Sequence, residues 1–267
     1  MSFISDYIKE KNRKNEKVLS VFLTSGFPHK NNFVQMTADI LNAGADILEI
    51  GFPFSDPLAD GPTIQHSSFA ALQQGINIQN TFFFVEEIRR KSEKPVILMG
   101  YANPVLKYGP KKFASDALSC GVNGVIIPDV PIDEYENFFD NSFNGLDVIL
   151  LATPTTPDNR VKKLDELSQG FLYYVSMTGT TGKQIRDTAE IQNQLKKISG
   201  LVTKNPLLIG FGISSPEDVK MFSPYCSGVI VGSAVIKSLI NSNGDYQNST
   251  NLVRDLKKAL MAENVRI

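Results

Sequence analysis

The sequence predicts an α/β protein that folds as a (β/α)8 TIM barrel with an extra N-terminal helix and additional helices. Eight apolar runs of strand length alternate along the chain with segments of helical periodicity. Most of these runs are continuously apolar, which is typical of parallel strands covered by helices on both faces. The length of 267 residues also fits, because an α/β barrel occupies about 250 residues as one domain. We therefore expect residues 1–267 to form a single domain.

A recurring phrase marks where three of the strands begin. NAGADILEI, SCGVNGVII and YCSGVIVG each read as the end of a helix, a turn and a short apolar strand. Extra helices are expected at the N-terminus, over Pro62 to Gln74 and over Asn77 to Ser92. An open doubly wound sheet is the alternative, but no G-x-G-x-x-G follows the first strand. The other five expected strands are Val18 to Thr24, Pro95 to Met99, Leu146 to Leu151, Phe171 to Ser176 and Pro206 to Gly210.

Composition excludes several classes of protein. The net charge of -1, with both signs interspersed, does not predict a basic surface that would bind nucleic acid or an anionic membrane. The apolar runs are far shorter than the roughly 20 residues of a membrane helix. The N-terminus has no signal-peptide core, so we expect a cytoplasmic protein, or an organellar one if a transit peptide was removed. Cys120 and Cys226 should be half-buried core residues, and His29 and His66 are too separated for a metal site.

Two carboxylates flank a rigid turn in the stretch LEIGFPFSDPLADGPTIQ, which runs from Leu48 to Gln65. Glu49 ends the second strand, and Asp60 follows eleven positions later in a polar turn before Pro62. Two carboxyl groups can divide acid and base work when one lies in an apolar pocket and the other stays ionised. A structural interpretation fits equally well, with Glu49 in a buried ion pair and Asp60 complementing the dipole of the next helix. The spacing leaves both interpretations open.

Glycine and serine meet at helix starts after the seventh and eighth strands, in GFGISSPEDV and VGSAVIK. Glycine lets backbone N–H groups approach an anion, and a helix N-terminus favours negative charge. These loops therefore indicate a phosphate site, with Gly232 and Ser233 as the second glycine–serine pair. Helix capping by Ser214 or Ser215 uses the same backbone and is the alternative.

The loop MTGTTGKQIRD follows the sixth strand and is too long and glycine-rich for a simple connector. We interpret it as a lid that orders over a ligand, with a solvent loop as the alternative. Phe22, Tyr101, Tyr173 and Phe211 fall at or just after strand ends, where they would surround a flat apolar ligand. Aromatic residues at such positions are also ordinary core residues.

The stretch LEIGFPFSDPLADGPTIQ closely resembles the signature of the tryptophan synthase α-subunit family. The segments TSGFP, LMGYANPVLKYG and GVIIPDVP, the T-G pair at Thr181 and Gly182, and the segments GFGISSPEDV and VGSAVIK all fall in family order, so the resemblance covers nearly the whole chain. It implies an enzyme that cleaves indole-3-glycerol phosphate to indole and glyceraldehyde 3-phosphate by a retro-aldol reaction without a cofactor. The reaction belongs to tryptophan biosynthesis.

The resemblance also implies roles for individual residues. Glu49 would protonate indole C3 and also handle the hydroxyl proton, and Asp60 would stay ionised and accept the indole N–H. Thr181 would hydrogen-bond Asp60 when the lid closes. The remaining implied contacts lie at two ends of the substrate. Gly182, Gly212, Gly232 and Ser233 would hold the phosphate, and Phe22, Tyr101, Ile126, Tyr173 and Phe211 would surround the indole and glycerol.

Members of the family pair with a pyridoxal-phosphate β subunit in an α2β2 complex and pass it indole directly. The turn at Asp56 and the stretch from Asn103 to Lys107 would face that partner. Met177 and Thr180 depart from the residues common in the family, which leaves the contacts of the closed lid open. A stand-alone lyase and a catalytically silent subunit are the other hypotheses, and the presence of both carboxylates disfavours the silent subunit.

Overall fold

A closed sheet of parallel strands forms the centre of the computed structural model, which describes residues 2–176, 188–210, 212–242 and 245–262. Every strand pair is parallel. The strands are β1 (Val18–Thr24), β2 (Ile47–Gly51), β3 (Val96–Met99), β4 (Gly124–Ile126), β5 (Asp147–Val148), β6 (Leu150–Ala152), β7 (Leu172–Val175), β8 (Leu207–Gly210) and β9 (Gly228–Val231). Their order is β5-β4-β3-β2-β1-β9-β8-β7-β6. The two outermost segments, β5 and β6, are consecutive in the chain, so the sheet closes into a barrel.

Helices alternate with the strands and surround the barrel. They are α1 (Phe3–Arg13), α2 (Phe33–Ala43), α3 (Pro62–Gln73), α4 (Ile78–Arg89), α5 (Ala102–Tyr108), α6 (Pro110–Ser119), α7 (Tyr135–Phe138), α8 (Asp158–Leu167), α9 (Thr188–Leu201), α10 (Pro216–Phe222), α11 (Ser233–Asn241) and α12 (Gln247–Ala262). Single 3₁₀ turns span Ile132–Glu134, Asn141–Phe143 and Ser223–Tyr225. The expected barrel and its additional helices α1, α3 and α4 are confirmed.

The fifth expected strand differs from its prediction because the structure divides it at Ile149. Up to Ile149 the chain pairs with β4, and the Ile149 N–H still donates to the Val125 carbonyl at 3.0 Å. The Leu150 N–H instead donates to the Ser168 side-chain oxygen at 3.0 Å. A side chain thus replaces one bond of the ladder, and the pairing passes from β4 to β7 at this point.

Helix α1 closes the bottom of the barrel. Its Ile4 and Ile8 are fully buried in one cluster with the strand residue Ile97 and with Phe171, which directly precedes β7. Ser2 caps the helix by accepting from the Ser5 N–H, and its hydroxyl donates to Asp147 at 2.6 Å. Burying each large aliphatic side chain contributes about 1.5–3 kcal/mol. The interior below the rim is therefore packed and anchored.

A second, larger apolar layer lies between the outer face of the sheet and the helices, with Leu48, Ile50, Val85 and Phe113 among its buried members.

None of the helices in the described ranges is long and apolar enough to cross a membrane. The continuous sheet and core support one domain over residues 1–267, which stays a prediction.

Glycines in the barrel are required where neighbouring strands come close. A Cβ at Gly228 would lie 2.4 Å from the Val18 carbonyl oxygen, which is backbone and cannot swing aside. We expect Gly228→Ala to lower the free energy of unfolding by about 1–3 kcal/mol, measured by urea denaturation. Gly200→Ala is the control, because nothing lies within 4 Å of a Cβ at this helical glycine. It should raise the free energy of unfolding by about 0.5–1 kcal/mol. Equal stability of the two variants would contradict the close approach.

Candidate active site

A cavity of about 310 Å³ lies at the carboxyl ends of the strands. Residues from several strands and the loops after them line it, as expected for a barrel of this kind. The structure brings together most of the residues that the sequence singled out. The cavity is lined by Phe22, Glu49, Asp60, Tyr173, Gly212, Gly232 and Ser233 from that set.

Two aromatic rings shape the cavity because glycines on neighbouring strands make room for them. A Cβ at Gly51 would lie 2.5 Å from the ring of Phe22, and one at Gly210 would lie 2.5 Å from the hydroxyl of Tyr173. Side chains at these two inward positions would displace both rings. The glycines on β2 and β8 therefore let Phe22 and Tyr173 form flat walls.

Glu49 points into the barrel from β2 and is completely buried. Its Oε1 accepts a hydrogen bond of 2.7 Å from the Ser20 hydroxyl, and its Oε2 has no hydrogen-bond partner among the described residues. Burial raises the pKa of Glu49 to about 7, although the Ser20 hydrogen bond opposes this rise. Within the described chain Glu49 has no ion-pair partner, so the structure offers no support for the buried ion pair.

Asp60 lies half-buried in the turn before α3. Tyr101 donates its hydroxyl hydrogen to Asp60 Oδ2 at 2.9 Å and accepts the Ala59 N–H at 3.1 Å. The ring of Phe54 packs on Tyr101 with a centroid distance of 5.5 Å, which fixes the donor in place. Burial raises the pKa of Asp60 to about 6, and the Tyr101 hydrogen bond opposes the rise. The polar turn therefore does not keep the pKa of this carboxyl at its ordinary value.

The two carboxyls can still hold different protonation states. Burial raises the pKa of fully buried Glu49 to about 7 and that of half-buried Asp60 to about 6, so Glu49 holds its proton more strongly than Asp60. A cavity with two carboxyls of unequal pKa can hold a proton donor beside an anionic hydrogen-bond acceptor, which is a division of work that acid–base catalysis can use. The burial of Tyr173 and the negative charges of both carboxyls raise the pKa of its hydroxyl, so it stays neutral.

The two candidate phosphate loops differ in structure. At the start of α10, Asp218 accepts from the N–H groups of Ser214 and Ser215 at 2.8 and 2.9 Å, and the Ser215 hydroxyl accepts from the Asp218 N–H. Capping therefore occupies these two serines, as the alternative interpretation expected. Helix α11 begins after Gly232, which has no side chain to cap it. Its first N–H groups have no intrahelical acceptor and are the better donors for an anion.

Lys237 also lines the cavity, and the sequence interpretation missed it. It follows Ser233 by four positions on α11, so the two share one helix face. Among the described lining residues it is the single cationic side chain. The helical spacing from Ser233 was the signal that could have revealed it. The other lining residues that were missed are Gly61, Thr63, Ile64, Met99, Ile213, Ser214, Ile230 and Ala234.

Some predicted contacts are not among the lining residues. Ile126 is fully buried in the barrel interior, while Met99, its partner on the neighbouring strand, reaches the cavity. Tyr101 lines a small adjoining pocket together with Asp60. Thr181, Gly182 and Phe211, and with them the predicted lid, lie outside the described residues. The described part of the chain holds no cluster of three metal-ligating side chains.

The cavity, its two carboxyls and the open start of α11 occur on a chain with extensive family similarity. A family model described as tryptophan synthase alpha chain matches residues 8–265. The chain belongs to the tryptophan synthase alpha chain family. The alpha chain of Flavobacterium johnsoniae is 41% identical over 250 residues, which cover 92% of this chain and 99% of the relative. That of Geotalea uraniireducens is 42% identical over 246 residues, with 92% of each chain covered.

Solved structures of tryptophan synthase give the same result. The alpha subunit from Legionella pneumophila str. Paris superimposes with a TM-score of 0.88 at 32% identity, covering 97% of this chain and 98% of that one. A chain of the M. tuberculosis tryptophan synthase in its aminoacrylate-bound form superimposes with a TM-score of 0.86 at 29% identity, covering 97% and 100%. The barrel of this chain is therefore that of tryptophan synthase alpha chains.

The Tyr101 hydroxyl should help to keep Asp60 ionised in this alpha chain. Tyr101→Phe removes the donor to Asp60, so the pKa of Asp60 should rise further, with a loss of about 1 kcal/mol of carboxylate stabilisation. Titration of the Asp60 carboxyl carbon by NMR measures the change. Tyr108→Phe is the matched control on α5, because its hydroxyl bonds Asp116 instead. An unchanged titration of Asp60 in Tyr101→Phe would contradict this role.

Proposed function

We propose that this chain cleaves indole-3-glycerol phosphate to indole and glyceraldehyde 3-phosphate as the alpha subunit of tryptophan synthase, with Glu49 and Asp60 as its catalytic residues. The observation that carries the proposal is that three features share one cavity. They are Glu49, whose raised pKa favours the neutral form, Asp60, whose pKa is raised less, and the uncapped start of α11. Membership of the tryptophan synthase alpha chain family places this carbon–carbon lyase reaction in tryptophan biosynthesis. A cytoplasmic location stays a prediction.

The proposed mechanism begins with neutral Glu49 and ionised Asp60. Asp60 accepts the indole N–H, which raises the electron density of the ring. Glu49 gives its proton to C3, forming the C3–H bond and leaving a carboxylate. That carboxylate takes the proton of the glycerol hydroxyl as the carbon–carbon bond breaks and the aldehyde forms. Glu49 ends neutral again, so indole and glyceraldehyde 3-phosphate leave without consuming an acid from solution.

The substrate phosphate would bind at the opposite end of the cavity. The first N–H groups of α11, the Ser233 hydroxyl and the ammonium group of Lys237 are the groups of matching charge there. Phe22 and Tyr173 would hold the flat ring between this end and the carboxyls. Lys237 would also offset the phosphate charge, which would otherwise raise the pKa of both carboxyls.

The β subunit would face the exposed parts of the same rim. Leu58 in the turn before Asp60 is 92% exposed, and Leu106 on α5 is 54% exposed. Both leucines follow neighbouring strands, β2 and β3, at the carboxyl ends of the barrel, where the partner surface is proposed. Asp56 is exposed in the same turn. Indole release measured with and without added β subunit separates this subunit role from a stand-alone lyase, since a partner should stimulate only the former.

Glu49→Gln tests the proposed acid. The amide keeps the shape of the side chain but cannot deliver or take up the proton, so indole release should fall roughly 10²- to 10⁴-fold. Affinity for glycerol 3-phosphate should be retained, because the phosphate end is unchanged. An unchanged rate of indole release would remove Glu49 from the mechanism.

The same variant gives a readout that is independent of activity. The folded-state pKa of Glu49 is about 7, above its ordinary value of 4.5, so the folded chain holds this proton more tightly. Its contribution to stability is fully present below pH 4.5 and is lost as the pH rises through 7. Glu49→Gln should lack this part of the pH dependence in urea denaturation.

Lys237→Met tests the phosphate end. Loss of this partly solvated charge should raise the KM for indole-3-glycerol phosphate roughly three- to tenfold, with less effect on kcat. Binding of indole alone should not change. Lys258→Met on α12 is the matched control, because Lys258 is exposed and pairs only loosely with Asp255 at 3.7 Å. An equal KM in the two variants would count against Lys237.

A further inference from the structure

Ser20 is a hydroxyl residue in the otherwise apolar interior of the barrel. It is completely buried on β1, where it lies beside Ile47 on one neighbouring strand and Ile230 on the other. A hydroxyl left without a hydrogen-bond partner in such surroundings costs about 1–3 kcal/mol. Ser20 instead donates to Glu49 Oε1 at 2.7 Å. The hydroxyl of Ser20 is therefore directed at the buried carboxyl of Glu49.

That hydrogen bond makes the two carboxyl oxygens of Glu49 unequal. Oε1 is held by Ser20, whereas Oε2 is buried without a hydrogen-bond partner in the described chain, and Glu49 lines the cavity. In a neutral carboxyl group one oxygen is a carbonyl acceptor and the other carries the proton. If Oε1 keeps accepting from Ser20 when Glu49 is neutral, Oε2 is the oxygen that carries the proton of the carboxyl group.

We propose that Ser20 is a positioning residue that holds Oε1 of Glu49 and so leaves Oε2 as the oxygen that delivers and takes back the catalytic proton. The proposal rests on the function proposed above and adds the atom at which the proton is exchanged. In the cycle the Oε2–H bond breaks as the C3–H bond of indole forms. Oε2 then bonds the hydroxyl proton of the glycerol chain as the carbon–carbon bond breaks.

Ser20 also affects the pH range of the reaction. Its donated hydrogen bond favours the carboxylate and opposes the rise that burial causes in the pKa of Glu49. Removing it raises that pKa further, so neutral Glu49 persists to higher pH. Among the described lining residues the other titratable groups are Tyr173 on β7, Asp60 before α3 and Lys237 on α11. None of them is changed by a substitution at Ser20.

The test compares Ser20→Ala with Ser20→Thr and Ser20→Cys. Ser20→Ala should lower kcat about tenfold with little change in KM, because the carboxyl loses its fixed orientation, and should move the alkaline limb of the pH–rate profile upward. Ser20→Thr keeps the hydroxyl and should restore both properties. Ser20→Cys fills the same space with a weak donor, so it should resemble Ser20→Ala. Ser249→Ala, which removes another fully buried hydroxyl, bonded to Ser238, is the matched control and should retain the wild-type profile.

A spectroscopic readout locates the proton directly. In infrared difference spectra against Glu49→Gln, the C=O stretch of neutral Glu49 should move to higher frequency in Ser20→Ala, because its carbonyl oxygen no longer accepts a hydrogen bond. An unmoved stretch, or a kcat and alkaline limb equal to those of Ser249→Ala, would overturn the proposal. Activity retained in Glu49→Gln would instead refute the proposed acid itself. The two failures are therefore distinguishable.

Discussion

The burial of one carboxyl group on β2 is the constraint on which the rest of the site depends. The closed sheet turns every second strand residue inward, and at Glu49 the described residues supply one hydrogen-bond donor, Ser20. The resulting rise in pKa from 4.5 to about 7 corresponds to about 3 kcal/mol for holding the ionised form. The burial of Glu49 thus lowers the free energy of unfolding above pH 7, and in return a proton donor is held in an apolar interior. The packed floor beneath it, built by α1, makes that burial possible.

The cavity above Glu49 depends on the absence of side chains as much as on their presence. Gly51 and Gly210 leave the space that the rings of Phe22 and Tyr173 occupy. Gly232 leaves the start of α11 without a side-chain cap. At the start of α10, the side chains of Ser215 and Asp218 each accept the backbone N–H of the other and so cap the helix. Two similar glycine–serine loops therefore have different capacities for an anion. Among the described residues, the second loop combines an uncapped helix start with Lys237, one helical turn after Ser233.

The sequence predicted the strands well because strands covered on both faces are continuously apolar, a property of the chain itself. It also singled out Glu49 and Asp60, since acids stand out beside such strands and turns, and both line the cavity; their catalytic roles stay a prediction. The division of the fifth strand at Ile149 was not predictable, because it depends on a hydrogen bond from Leu150 to a side chain 18 residues away. Ser20 was missed for a similar reason. A single serine in an apolar run does not indicate a role in the site, because its carboxyl partner lies on a neighbouring strand and is brought beside it only by the fold.

The pKa values of Glu49 and Asp60, about 7 and about 6, are close together in the free chain. A bound indole ring would separate them. The ring excludes water from the cavity, which further favours the neutral form of buried Glu49. Its N–H would donate to Asp60, and a donor stabilises the carboxylate and lowers its pKa. The same ligand would thus raise the pKa of Glu49 and lower the pKa of Asp60. The difference arises because Asp60 would receive a hydrogen bond from the ligand, whereas Ser20 has already supplied the one that Glu49 accepts.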